Sequence, residues 1–455
     1  MNSLLALVSL ILCLSIAWMI PGYGASAIVL CAIFAALVGT VVSQLKENSN
    51  FLLRIFLGAL LVRILVGTII YIFNLQDFFG SDANTYDFFG FALFKVWNGE
   101  QFYQHYVNQF AGGEGMGGGW GMLYLVAVVY SLIGRNMLAI QFINAVIGAA
   151  TVPVIFLCAL HIFNNLRVAR ISAIFVAFYP SLVLWSSQGL KDGPIIFLIG
   201  LSVLATLKLG ERLSVKYLSV LVFSLIALLS LRFYILYLMV AAIAGAFIIG
   251  MRAITAQSFA RQFVIVVLLG VSLTYLGAFR YASTQYETFG NLEALQRSRL
   301  DAAQQGESGF GRDIDVSTTS GAISAIPLGL TYLLFAPFPW QLASLRQSIT
   351  LPEMIIWWAS FPFLVVGLWF TIKFRLRQAS PVLIFTAMLT LMYSLFQGNV
   401  GNAYRHRAQL LIFLFIFVAV GYVLTKERRE DKKRRELAAR QHLGFRPVHP
   451  STSNM

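Results

Sequence analysis

The chain has 455 residues, of which 58% are hydrophobic and only 11% charged, against roughly 45–50% and 25% in soluble globular proteins. Its net charge of +14 is carried in short loops and the C-terminal tail, which is the topology signal of a membrane chain and excludes a nucleic-acid-binding face. Cys13, Cys31 and Cys158 all fall inside apolar runs, which excludes a disulfide framework and a zinc site.

Apolar runs near the length needed to cross about 30 Å of hydrocarbon recur from end to end. They predict spans over 3–20, 25–43, 51–73, 137–161, 171–188, 193–210, 216–231, 234–250, 262–277, 352–373, 381–397 and 407–425. Ala25-Ser26-Ala27 resembles a cleavage site, but Met1-Asn2-Ser3 supplies no positive leader, so the first run is expected to stay as a spanning helix. Two further apolar pieces, 120–134 and 325–342, are ambiguous. The basic tail from Lys426 should be cytoplasmic. Counting back, Arg375 stays on that side if 352–373 is one span, and Arg252, Arg212, Arg167 and Lys46 stay there only if neither ambiguous piece crosses. Both are therefore expected to be re-entrant or interfacial. The fold class that follows is all-α, a polytopic membrane protein of about 12 transmembrane helices with both termini inside.

That topology leaves three polar regions outside: 74–119, ending in the glycine-rich Gly112–Gly119; 278–324, with Arg297, Arg299, Asp301, Glu307, Arg312, Asp313 and Asp315; and the short loop 398–407. Long loops of this kind are usually functional or disordered. The chain divides accordingly into two extra N-terminal helices over 1–50, a membrane catalytic unit over 51–425, and a basic tail over 426–455. The tail is most simply a segment touching anionic lipids.

Asp82 and Asp87 sit where the chain leaves the bilayer after its third apolar run, and the whole chain holds only 19 acidic residues. A carboxylate there can act as a general base if partial burial raises its pKa. The alternative is that Ser81 or Asp82 caps a helix beginning at Asn84, with Asp87 on a solvated face. Asp192 precedes Gly193-Pro194 and reads either as a helix start or as a functional group. Lys191, in the same tight outer turn, runs against the charge bias and could hold a phosphate. Arg232 interrupts an apolar stretch at the outer edge, where it calls for a partner. Arg63 lies too deep to snorkel and is either a structural ion pair or a substrate contact. Tyr404-Arg405-His406-Arg407 opens the last span; two outer arginines there suit bidentate phosphate binding or anchoring to anionic lipid.

In this order the motifs resemble the C-type (GT-C) glycosyltransferases, which use polyprenyl-phosphate-linked sugars. They are most similar to the bacterial relatives of protein O-mannosyltransferase and lipid A aminoarabinose transferase. Four features carry the resemblance: Gly80-Ser81-Asp82-Ala83-Asn84-Thr85-Tyr86, the re-entrant Trp120–Gly134, Leu190-Lys191-Asp192 after Tyr179-Pro180, and Tyr404-Arg405-His406-Arg407. It implies inverting transfer of a sugar from a lipid carrier to a glycan, lipid or protein acceptor on the outer side of the plasma membrane. Asp82 would be the base, with Asp87 as the possible second acid. Tyr86, Arg63, Lys191, Asp192, Arg232, Tyr404, Arg405 and Arg407 would contact substrate. The sequence departs from the family where Ala83 follows Asp82 in place of an acid, and where Ala408-Gln409 stand in place of a proline. No cation-binding acidic pair is evident, so no metal or cofactor is expected. The competing readings are an O-antigen or exopolysaccharide polymerase or ligase, suited by the late outer segment, and a transporter, which would favour internal repeats.

Overall fold

The computed structural model describes residues 3–111, 119–250, 256–275, 291–304, 308–342 and 344–444, with backbone only at 111, 250, 256–261 and 437–444. The glycines at 112–118, Glu307 and the tail beyond Pro447 lie outside the described residues. A helix stands at every predicted apolar segment. Six described helices are long and apolar enough to cross a membrane, and a bent pair would make seven.

The first three helices are α1 (Ser3–Met19), α2 (Gly24–Ser43) and α3 (Ser49–Ile72). On α1, Leu4, Leu7, Leu10, Ile11, Leu14 and Trp18 are exposed, as suits a face turned to hydrocarbon. The predicted outer region after α3 is itself largely helical, with α4 (Gln76–Phe79), α5 (Asp82–Trp97), a 3-10 turn and α6 (Gln104–Ala111). The first ambiguous piece is α7 (Trp120–Ile133). At 14 residues it extends about 21 Å, short of the hydrocarbon thickness.

Next comes α8 (Met137–Phe163), buried on nearly all faces, as expected of a helix that is apolar all round. Asn136 caps it by accepting from Ala139 N, while its own amide donates to Tyr23 O and Ser26 Oγ and so pins the start of α2. The predicted single span 171–188 is instead two helices, α9 (Leu166–Phe178) and α10 (Pro180–Ser186), bent by 54°. Pro180 causes the bend. It has no N–H, and its ring drives the preceding residue out of the α region; Tyr179 sits at φ −68°, ψ 126°.

Beyond the turn at 187–191 run α11 (Asp192–Glu211), α12 (Val215–Leu231), α13 (Phe233–Gly250) and α14 (Ala256–Tyr275). In the segment expected outside, α15 (Leu292–Gln304) is followed by α16 (Thr319–Phe335). The second ambiguous piece thus begins earlier and ends sooner than the predicted 325–342. The two predicted spans 352–373 and 381–397 form one long element, α17 (Leu345–Phe396), with a non-helical break at Arg375 (φ −133°, ψ 18°) inside the basic stretch between them. The last helix is α18 (Val400–Gly444), fully packed from Ala408 to Val420. Among the six long apolar helices, α8, α11 and α18 are the most buried.

Candidate active site

The site assembles at the first turns of α5 and α11, at the second turn of α18 and at the α12–α13 junction. Ser81 holds the cap position of α5 without a side-chain cap bond, so the predicted capping role is not taken. Asp82 is the first helical residue, two positions earlier than the sequence suggested. There the helix dipole favours a carboxylate. Its Oδ2 accepts from Arg405 Nη1 at 2.7 Å, and the side chain remains 47% exposed.

Asp192 opens α11 and is fully buried. Its Oδ2 accepts from Arg405 Nε at 2.7 Å and lies 2.5 Å from Arg405 Nη2; its Oδ1 lies 3.5 Å from Arg232 Nη2. One buried carboxylate therefore holds two arginines. Arg232 is in extended conformation (φ −153°, ψ 95°) between α12 and α13. Its Nη1 reaches Tyr393 Oη at 3.3 Å, and that hydroxyl donates to Gln409 Oε1 at 2.6 Å. His406 stacks on Tyr393 with ring centroids 4.5 Å apart, and Gln397 Nε2 stands 2.7 Å from its Nδ1.

Lys191 is carried by the turn after α10. Asn144 of α8 fixes that turn by donating to Gln188 O and Leu190 O at 2.6 and 2.7 Å. The ammonium lies 5.9 Å from the Tyr86 ring. Burial, followed by the neighbouring Arg232, pushes its pKa down to about 8. Gly119 closes this side with φ +116°; a Cβ there would stand 3.1 Å from Lys191 Nζ and 3.2 Å from Tyr86 Oη. Both its backbone conformation and the close approach require glycine.

The structure thus brings together Asp82, Tyr86, Lys191, Asp192, Arg232 and Arg405, with three cations against two carboxylates. The excess positive charge suits an anionic group. Four other residues named from the sequence lie elsewhere. Asp87 accepts hydrogen bonds from Arg135 and Tyr130 and ties α5 to α7 and the start of α8. Tyr404 donates to Glu353 Oε2 at 2.6 Å, inside the packing of α17 and α18. Arg407 Nη1 donates to Leu333 O, Leu334 O and Ala336 O at 2.8–3.4 Å. With Trp357 and Trp358, whose indoles donate to Leu334 O and Phe335 O, it satisfies the carbonyls that a helix C-terminus leaves open.

Arg63 also has a backbone role. Its Nη2 donates to Val176 O at 3.2 Å and its Nη1 to Ala177 O and Ala59 O at 2.8 and 3.0 Å, while Nε reaches Ser186 Oγ at 2.8 Å. Val176 O is the carbonyl that the residue at 180 would bond if it had an N–H. The arginine repairs the break that Pro180 makes.

Tyr393, Gln397, Gln409 and Glu353 were not picked out from the sequence. Gln409 stands one helical turn beyond Arg405, a spacing that places both on one face. Glu353 is an acid alone in an apolar run, a pattern that marks it for attention. Among the described residues no group of three His, Cys, Asp or Glu side chains comes together as a metal site.

Residues 120–275 match the family model described as dolichyl-phosphate-mannose-protein mannosyltransferase. No curated protein matches the chain. Among solved structures it is similar to the archaeal oligosaccharyltransferase AglB from Archaeoglobus fulgidus, in complex with an inhibitory peptide and a dolichol-phosphate. That similarity is at 16% identity and a TM-score of 0.38, over 70% of this chain and 44% of that one. The chain therefore spans less than half the length of that protein. The family match bears out the resemblance to the C-type glycosyltransferases over the segment that holds α7, Lys191, Asp192 and Arg232.

Proposed function

We propose that the protein transfers a sugar from a polyprenyl-phosphate-linked donor to an acceptor hydroxyl on the outer face of the plasma membrane, with both termini cytoplasmic. The family match supports a membrane glycosyltransferase. The observation that carries the finer reading is the pairing of half-exposed Asp82 with Arg405, itself held by buried Asp192 beside Arg232. Sugar transfer from a phosphate carrier leaves charge on the departing phosphate. Arg405, Arg232 and Lys191 are placed to stabilise that charge as it develops. Asp82 is the carboxylate with an open side. It would orient and deprotonate the incoming hydroxyl, while Asp192 holds the arginines in place.

Donor and acceptor meet at one cluster in this reading, so Asp82 and Arg405 must face the same compartment; their 2.7 Å contact supports that requirement. The basic tail from Lys426 would then lie on the opposite side. The test is to incubate membranes containing the protein with radiolabelled polyprenyl-phosphate sugars and identify the labelled product. Label should pass to a glycan, lipid or protein in an Asp82-dependent manner. Equal labelling by membranes carrying Asp82→Asn would overturn the proposal.

A further inference from the structure

The late outer segment holds a second, separate cation. Arg299 of α15 is 2% exposed. Its Nε donates to Gln397 O at 3.2 Å, but Nη1 and Nη2 have no hydrogen-bond partner among the described residues. No carboxylate among the described residues comes within 4 Å of it. Four buried N–H groups and a full charge without a partner are costly, and a guanidinium is a planar fork suited to two oxygens at once.

The surroundings hold this fork in place. Gly311, at φ +61°, packs so closely that a Cβ would meet Arg299 Nη2 at 2.5 Å. Ser308 to Val400 pairs the two flanking loops, with Phe310 N donating to Gly398 O at 2.8 Å and Val400 N to Ser308 O at 3.1 Å. Arg312 adds a second guanidinium whose Nη2 caps Ala303 O at 3.0 Å. Gln397 links this place to the active-site cluster: its carbonyl accepts from Arg299 while its amide meets His406.

We infer that Arg299 is the centre of a second anion site, which takes a small oxyanion such as a phosphate ester and lies outside the Asp82–Arg405 cluster. The inference stands on the unpartnered guanidinium and does not depend on the transfer reading. Two sources share the chemistry: the phosphate of a lipid carrier, and the phosphate of a water-soluble sugar ester.

The test is thermal unfolding of the detergent-solubilised full chain against inorganic phosphate, for the wild type, Arg299→Gln and Arg299→Lys. A site occupied at a hundredfold excess over its dissociation constant raises the melting temperature of a chain this size by about 3 °C. The wild type should show a saturable rise, and Arg299→Gln should lose the Arg299-dependent part of it. Arg299→Lys keeps the charge without the fork and should need several-fold more phosphate for the same rise. Superimposable wild-type and Arg299→Gln curves would overturn the inference. Should Arg299→Gln not fold, an Arg299→Lys curve identical to wild type overturns it and a right-shifted one supports it. Repeating the titration with a short-chain polyprenyl phosphate and with a sugar 1-phosphate identifies the source, by which of the two loses its Arg299-dependent phase.

Discussion

Arg405 Nη1 and Asp82 Oδ2 stand 2.7 Å apart although 323 positions separate them in the chain. The contact joins the first turn of α5 to the second turn of α18, so elements far apart in the chain close on each other. It is also asymmetric. Arg405 is anchored from behind by fully buried Asp192, whereas Asp82 keeps nearly half of its side chain open.

The asymmetry separates activity from stability at Asp82. Asp82→Asn should lower transfer by about 10²–10⁴-fold, the usual contribution of a general base. An ion pair this open contributes about 0–1 kcal/mol, so the melting temperature should hardly change. Parallel transfer assays and melting curves on the purified variant check both halves.

Asp192 should behave in the opposite way. Asp192→Asn leaves Arg405 and Arg232 buried without their shared counter-charge, which costs about 3–5 kcal/mol. For a chain of this length that corresponds to a melting temperature lower by about 3–5 °C. A variant that melts with the wild type would show that the arginines are balanced elsewhere.

Arg63 and Pro180 should be coupled. Removing the guanidinium in Arg63→Met leaves Val176 O and Ala177 O without donors. Pro180→Ala restores the amide N–H that can bond Val176 O. The double variant Arg63→Met/Pro180→Ala should therefore be more stable than the sum of the single changes by about 0.5–3 kcal/mol, as measured in a double-mutant cycle. Strict additivity would refute the repair role.

Anion binding at the cluster should weaken in mildly alkaline solution. The Lys191 pKa is lowered by burial to about 8. The ammonium is therefore charged below that pH and neutral above it, while Arg405 and Arg232 stay charged throughout. Affinity for a phosphate carrier should fall as pH rises through about 8, and Lys191→Met should flatten the profile. Binding isotherms between pH 6.5 and 9.5 decide this.

Much of the site was legible in the sequence because charge is rare in an apolar chain. Asp82, Lys191, Asp192, Arg232 and Arg405 stood out for that reason alone, and they converge. Arg407 and Tyr404 stood out equally but point away. Successive helical residues turn by 100°, so residues two apart face nearly opposite directions. Position 405 shares its face with Gln409, and Tyr404 shares its own with Arg407. Helix existence was readable from apolar length, and so were the break at Arg375 and the short α7. The bend at Pro180 was not anticipated, although the rule that limits the residue before a proline was available. Arg299, Gln397 and Tyr393 could not be assigned, because their partners lie across distances in sequence that only the packed bundle defines.

The guanidinium of Arg63 is enclosed among backbone carbonyls with no acid beside it among the described residues, about 14 Å along α3 from the end that leads to Asp82. It therefore leaves a fixed positive charge in the low-dielectric interior beneath the polar mouth. A cation approaching that charge meets repulsion that rises as the distance falls.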